Sequence, residues 1–231
     1  MQKRFFSTEF VVILLFFVLP PIVFVKTPGA EQMAHFSWST FALAALAGGL
    51  LWQIRRGIHG NPRDDTDGRV RLWRVLMDQA AALVTFGALI VVAIVFEVLG
   101  RFVLSVPDTV RILPPETALG WTNVILGTVC AAFYEEVLYR LYLPDAIKVV
   151  CARKNTPPES TRAKRISFLC EATAIVLFAL AHRYAGFLAV LNAFLGGMLL
   201  RRCFVRTGAL WTNVTAHTAY NFVMLMLVIE K

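Results

Sequence analysis

Two adjacent carboxylates, Glu135 and Glu136, and an arginine four residues on, Arg140, stand inside an otherwise apolar stretch of the chain, residues 120–143. That stretch is long enough to cross a bilayer, where each ionisable side chain costs roughly 2.5–3.5 kcal/mol unless it is paired or hydrated. Three together must be matched to something. Further polar residues recur downstream at the same spacing: Phe178 with His182, and His217 with Asn221. Residues four apart share one face of a helix, so each pair points in one direction. Carboxylate, imidazole and amide are the side chains that move protons and stabilise developing charge. In an apolar setting they mark a functional site or an ion pair that packs helices. The packing alternative applies most directly to Glu136 and Arg140, since Glu135 has no cation of its own on that helix.

The elements that must position these groups are membrane helices. Of 231 residues 58% are hydrophobic and only 16% charged, with a mean hydropathy of +0.64, which excludes an ordinary soluble domain. The expected fold is all-α, a polytopic transmembrane bundle of about seven spans, with six or eight as neighbouring counts. The first span runs from Phe10 to Val25 and is interrupted by Pro20 and Pro21; no clean cleavage site follows it, so it reads as a retained span rather than a signal peptide. Phe36 to Ile54 is the second, with a Gly48-Gly49 pair suited to close helix packing. Val75 to Leu99 is the third, and the acidic stretch is the fourth. Ile166 to Ala185, Gly186 to Leu200 and Ala209 to Ile229 complete the set. The chain divides into N-terminal spans over 1–119, with a basic loop at 55–74, and a helical core over 120–231 that holds every candidate site residue.

The net charge of +8 is explained by orientation rather than by nucleic acid, which is not an expected partner. With the N-terminus inside, cytoplasmic segments hold 17 of the 23 Lys and Arg residues: two at the N-terminus, six in each of the connections 55–74 and 144–165, and three at Arg201, Arg202 and Arg206. This is the positive-inside pattern. The expected location is the plasma membrane of a bacterial cell, with lipid as the surrounding partner. Cys130, Cys151, Cys170 and Cys203 show no paired metal spacing and no disulfide framework.

Depth is a second constraint. At 1.5 Å per residue Glu135 lies about 10–12 Å from the inner end of its helix and His217 about 12–15 Å from the inner end of the last span, so the two can meet. His182 lies about 24 Å from Ile166, a distance that falls to about 16 Å if its helix continues out of the membrane below Glu171. Asn213 shares a face with His217 and Asn221 and reads as a packing residue.

Glu-Glu-Val-Leu-Tyr-Arg (135–140), Phe-Ala-Leu-Ala-His (178–182) and His-Thr-Ala-Tyr-Asn (217–221) resemble, in order, the EExxxR, FxxxH and HxxxN motifs of the CAAX protease and bacteriocin-processing intramembrane proteases. Arg-Thr-Gly-Ala-Leu-Trp (206–211) resembles that family's lead into its last motif. The resemblance covers about residues 120–225. It implies an intramembrane endopeptidase in which Glu135 is the general base, His182 holds and polarises the attacking water, and His217 with Asn221 stabilises the oxyanion, a division that suits amide hydrolysis. Glu136 and Arg140 would then support the site through a charge-assisted pair. A zinc ion held by Glu135, His182 and His217 is compatible with catalytic zinc chemistry, but the HExxH spacing is absent, so the expectation divides between no cofactor and Zn2+, leaning to none. The implied partner is a peptide or membrane-protein substrate: eukaryotic relatives trim three residues from prenylated CAAX proteins, and bacterial members are linked to peptide maturation or self-immunity. From the residues alone, a small proton-coupled transporter using Glu135, Glu136 and the histidines as a relay, or a non-catalytic membrane scaffold, stand as alternatives; the absence of an internal repeat weighs against the transporter.

Overall fold

The computed structural model describes residues 2–24, 38–57, 68–103, 114–151 and 160–228, and all regular structure among them is helical. Helical segments occupy each of the seven stretches read as spans. The middle of each long basic connection, with Arg63 in the first and Arg153 and Lys154 in the second, lies outside the described residues.

The chain forms two compact units, each discontinuous in sequence. The first combines Met1–Thr27 with Leu138–Met198. It starts with α1 (Gln2–Ile13), a wide π-type turn over Leu14–Val18 and α2 (Leu19–Val23). Pro20 and Pro21 have no N–H to give to the carbonyls four residues back, and the helix widens immediately before them. A second wide turn, Val137–Tyr142, leads into α6 (Leu143–Cys151), and here Pro144 is the residue that cannot donate to the carbonyl of Arg140. Next comes α7 (Thr161–Ala181), capped by the Ser160 hydroxyl, which accepts from the Ala163 N–H at 3.2 Å. The helix therefore includes Arg162, Lys164 and Arg165, the extension that depth required of His182. Both α2 and α6 pack against α7, and the Arg183 guanidinium donates to the carbonyl of Val23 at 2.9 Å.

The second unit combines Pro28–Val137 with Leu199–Lys231. It holds α3 (Trp38–Gly57), α4 (Gly68–Val98) and its wide-turn continuation Leu99–Val103, α5 (Ala118–Glu136), the end of α8 (Phe187–Thr207) and α9 (Leu210–Val228). α5 packs on α3 and on α9, and α4 on α9. Ala47, Ala82, Ala93, Ala132 and Ala216 are all buried; small side chains at these contacts let the helix backbones approach, as association within lipid requires. Gly48 and Gly49, the pair expected to serve that purpose, do not: a Cβ at either would meet no atom within 4 Å, whereas the neighbouring Ala47 is buried.

The sixth span was expected to stop at Leu200, yet α8 runs on to Thr207 and carries Arg201, Arg202 and Arg206 within the helix. Arginine is a good helix former, and the first residue able to end the helix is Gly208, which adopts φ +66° and donates its N–H to the carbonyl of Phe204 at 2.8 Å. Outward-facing surfaces are strongly apolar: Trp38, Trp73, Val84, Phe102, Leu119, Phe168 and Phe187 are all exposed, Phe102 to 80%. Such a surface suits lipid rather than water. Among the described residues two helices, Leu72–Phe102 and Phe187–Thr207, are long and apolar enough to cross a membrane, and Thr8–Val23 and Trp38–Ile54 are shorter apolar helices.

Candidate active site

Glu135 and Glu136 form the last residues of α5, just before the helix widens over Val137–Tyr142. Consecutive helical residues point about 100° apart, and the two carboxylates accordingly meet different surroundings. Glu136 is fully buried, whereas the Glu135 side chain keeps 23% of its surface exposed. Wide turns of this type recur at functional sites.

The facing helix, α9, presents Asn213, His217 and Asn221 at successive turns of one face. His217 is buried, and its Nδ1 lies 2.9 Å from Glu136 Oε1. A carboxylate only accepts, so the ring proton on this side belongs to Nδ1 and is donated to Glu136. The other ring nitrogen, Nε2, faces Glu135 Oε2 at 3.5 Å. Glu136 is also bound through its second oxygen: Asn213 Nδ2 donates to Oε2 at 2.9 Å and to the carbonyl of Leu200 at 2.8 Å. Asn213, read from the sequence as a packing residue, thus belongs to the carboxylate's own hydrogen-bond shell. Its position one turn before His217 was the available signal; what the sequence did not contain was the partner. Asn221 is half-buried one turn beyond His217, and the stacked rings of Phe133 and Trp211, 5.4 Å apart, add an aromatic contact between α5 and α9.

The remaining motif residues belong to the first unit. Arg140, 1% exposed, lies in the wide turn with its guanidinium carbon 4.5 Å from the centre of the Phe178 ring, within cation–π range. Phe178 also meets Tyr139 edge-on, with ring centres 5.3 Å apart, and His182 at 4.7 Å. His182 does not lie within a helix, as its expected span to Ala185 would have it. It ends α7 with φ −92° and ψ 6°, followed by a single 3-10 turn, Arg183–Ala185, and by Gly186 at φ +95°. The spacing of four from Phe178 still has a use, because His182 Nδ1 lies 2.9 Å from the Phe178 carbonyl oxygen. That acceptor fixes the Nδ1–H tautomer and leaves Nε2 as the nitrogen for another partner.

Metal binding can be weighed on these side chains. Glu135 Oε2 and His217 Nε2 would make two donors, and Glu136 behind His217 is the kind of carboxylate that orients a ligating imidazole. A catalytic zinc takes three protein ligands. Among the described residues no three His, Cys, Asp or Glu side chains are gathered to hold an ion.

A buried imidazole set between two carboxylates on packed helices, inside a chain with a lipid-suited surface, fits a helical membrane protein with a polar centre. Residues 117–223, the segment that carries all three motifs, match the family model described as type II CAAX prenyl endopeptidase Rce1-like, which supports the resemblance to the CAAX proteases. The match supports, in general terms, a membrane-associated protease of the CAAX type. No curated protein and no solved structure matches the chain.

Proposed function

We propose that the protein is an intramembrane endopeptidase that hydrolyses a peptide bond of a membrane-associated protein or peptide, a lipidated CAAX-type tail being the first substrate to test. The observation that carries this reading is the geometry around His217: Nδ1 is anchored by the fully buried Glu136, and Nε2 faces the partly exposed Glu135 at 3.5 Å. A water or a carbonyl oxygen placed beside that pair reaches both atoms at hydrogen-bond distance. Glu135 takes a proton from the water as its oxygen attacks the scissile carbonyl carbon. With its Nδ1–H engaged on Glu136, His217 turns Nε2 to the developing oxyanion; an Nε2–H that is on the ring before attack and stays there throughout, together with the Asn221 amide, supplies the donors. Collapse of the tetrahedral intermediate breaks the C–N bond, and the proton held by Glu135 passes to the leaving amine. For His182 and Arg140 we keep the roles that the family resemblance implies, holding the water and supporting the motif.

In this scheme Glu135 is the group that activates the water, and no step is routed through a metal. We assign seven spans with the N-terminus in the cytoplasm, which places the basic first turn of α7 and the basic end of α8 at the inner surface.

Purified protein in lipid vesicles should release the C-terminal tripeptide from a prenylated CAAX peptide, and Glu135→Gln protein, inserted at normal levels, should release none. Undiminished cleavage by the Glu135→Gln protein would sink the catalytic assignment. If the prenylated peptide is left intact, new C-termini in membranes with and without the protein identify the substrate class.

A further inference from the structure

We infer that Asn213 is a positioning residue of the active centre, one that sets the orientation of Glu136 and through it the tautomer and aim of His217. The inference rests on the peptidase reading above and adds to it a residue outside the three motifs. Asn213 is completely buried. Its two hydrogen-bond partners, Glu136 Oε2 at 2.9 Å and the Leu200 carbonyl at 2.8 Å, are both acceptors, so the amide has only one workable orientation: turned over, Oδ1 would face two oxygens. Nδ2 must therefore point at Glu136.

A purely structural bridge between α8 and α9 is the competing explanation, since an asparagine between membrane helices commonly serves as adhesive. Three observations favour positioning. First, the Leu200 carbonyl lies well inside α8, which continues to Thr207, so the helix ladder already supplies it with an N–H. The bond from Asn213 is not needed to satisfy that carbonyl; its effect falls on the amide, which it locks. Second, Asn213 Oδ1 is buried with no hydrogen-bond partner among the described residues. A side chain chosen for adhesion alone would not leave a buried acceptor unmatched, whereas one chosen to present N–H to a carboxylate must carry that oxygen with it. Third, a neutral amide restrains the Glu136 carboxylate without adding a positive charge beside it, as Lys or Arg at this position would. The carboxylate of a glutamate otherwise turns readily about its last torsion. With Oε2 held, Oε1 stays on His217 Nδ1 and Nε2 stays on the side of Glu135.

The test uses the full-length protein in lipid vesicles with the prenylated CAAX peptide. Asn213→Ala should lower kcat by about 10- to 100-fold while KM stays within about twofold, because the residue touches no substrate. Since Asn213 acts through Glu136, the double variant Glu136→Gln/Asn213→Ala should be no slower than Glu136→Gln alone. Activity of Asn213→Ala within about threefold of wild type, or losses that add in the double variant, would overturn the inference. If the alanine variant fails to fold, Asn213→Ser, which returns one donor, takes its place and should recover part of kcat; a serine variant with kcat no better than the background rate overturns the role. Wild-type protein that cleaves nothing refutes the peptidase reading and not the positioning, which is then decided by nitrogen NMR of labelled histidine: loss of the His217 Nδ1–H signature in Asn213→Ala sustains it, and an unchanged spectrum overturns it.

Discussion

Replacing Glu136 by Gln is the sharpest perturbation of this site, because it preserves shape and removes one acceptor. The carboxylate accepts from His217 Nδ1 and from Asn213 Nδ2. A glutamine offers one oxygen and one NH2, and the amide of Asn213 cannot turn over without facing the Leu200 carbonyl. The lower-cost arrangement therefore gives the oxygen to Asn213 and presents NH2 to His217 Nδ1. His217 must then accept at Nδ1 and carry its proton at Nε2, where Glu135 Oε2 is 3.5 Å away. Both charge-assisted bonds become neutral ones, and the imidazole that donates from Nε2 no longer has a carboxylate behind it, about 2–3 kcal/mol in all. Expressed in the transition state, that is about 30- to 150-fold in kcat at 1.36 kcal/mol per decade. Stability should move the other way or not at all, since a buried charge is removed. The assay is tripeptide release in vesicles together with thermal unfolding in detergent. Folded Glu136→Gln protein with kcat within about threefold of wild type would refute the argument that Glu136 sets the histidine's proton.

Two further expectations follow from other parts of the fold. Chelator treatment should leave cleavage intact, and elemental analysis of the purified protein should find no stoichiometric zinc; activity lost on chelation and restored by zinc would require a third ligand and a metal-bound water. Gly197→Ala would bring a Cβ to 3.1 Å from Phe178 Cδ1 and 3.3 Å from Ile175 Cγ2, overpacking worth about 1–3 kcal/mol. Because Phe178 lies against Arg140 and His182, this variant should show a lowered melting temperature and reduced cleavage together; unchanged melting would mean the ring yields freely.

Helix placement was legible in the sequence because long apolar runs between arginine-rich connections leave few alternatives. So was the approach of Glu135 to His217, through depth; the bond from His217 to Glu136 was not, because the spacing of four pairs Glu136 with Arg140. Other features were hidden for identifiable reasons. Charge does not bound α8, whose backbone continues through three arginines until Gly208. The proline at 144 was a sign of the widened turn after Glu136, but a proline in a run identifies a break without its geometry. His182 was expected within a helix and instead ends one, a difference that rests on a few backbone angles around Gly186. Asn213 reads as a packing residue in the sequence because its partners, Glu136 and the Leu200 carbonyl, come from two other helices, and no spacing within α9 reveals them.

The Gly208 turn bears on how the chain is assembled. Asn213 and the Leu200 carbonyl are 13 residues apart, while the bonds from Asn213 and His217 to Glu136 span 77 and 81. Closing the longer loops costs roughly 1.5 kcal/mol more in chain entropy. During synthesis the last two helices can therefore join first, so that Asn213 enters the bilayer with one N–H already engaged on a neighbouring backbone. The acidic helix is then captured by an amide that is already aimed, and the centre is completed by docking rather than by a search among side-chain orientations.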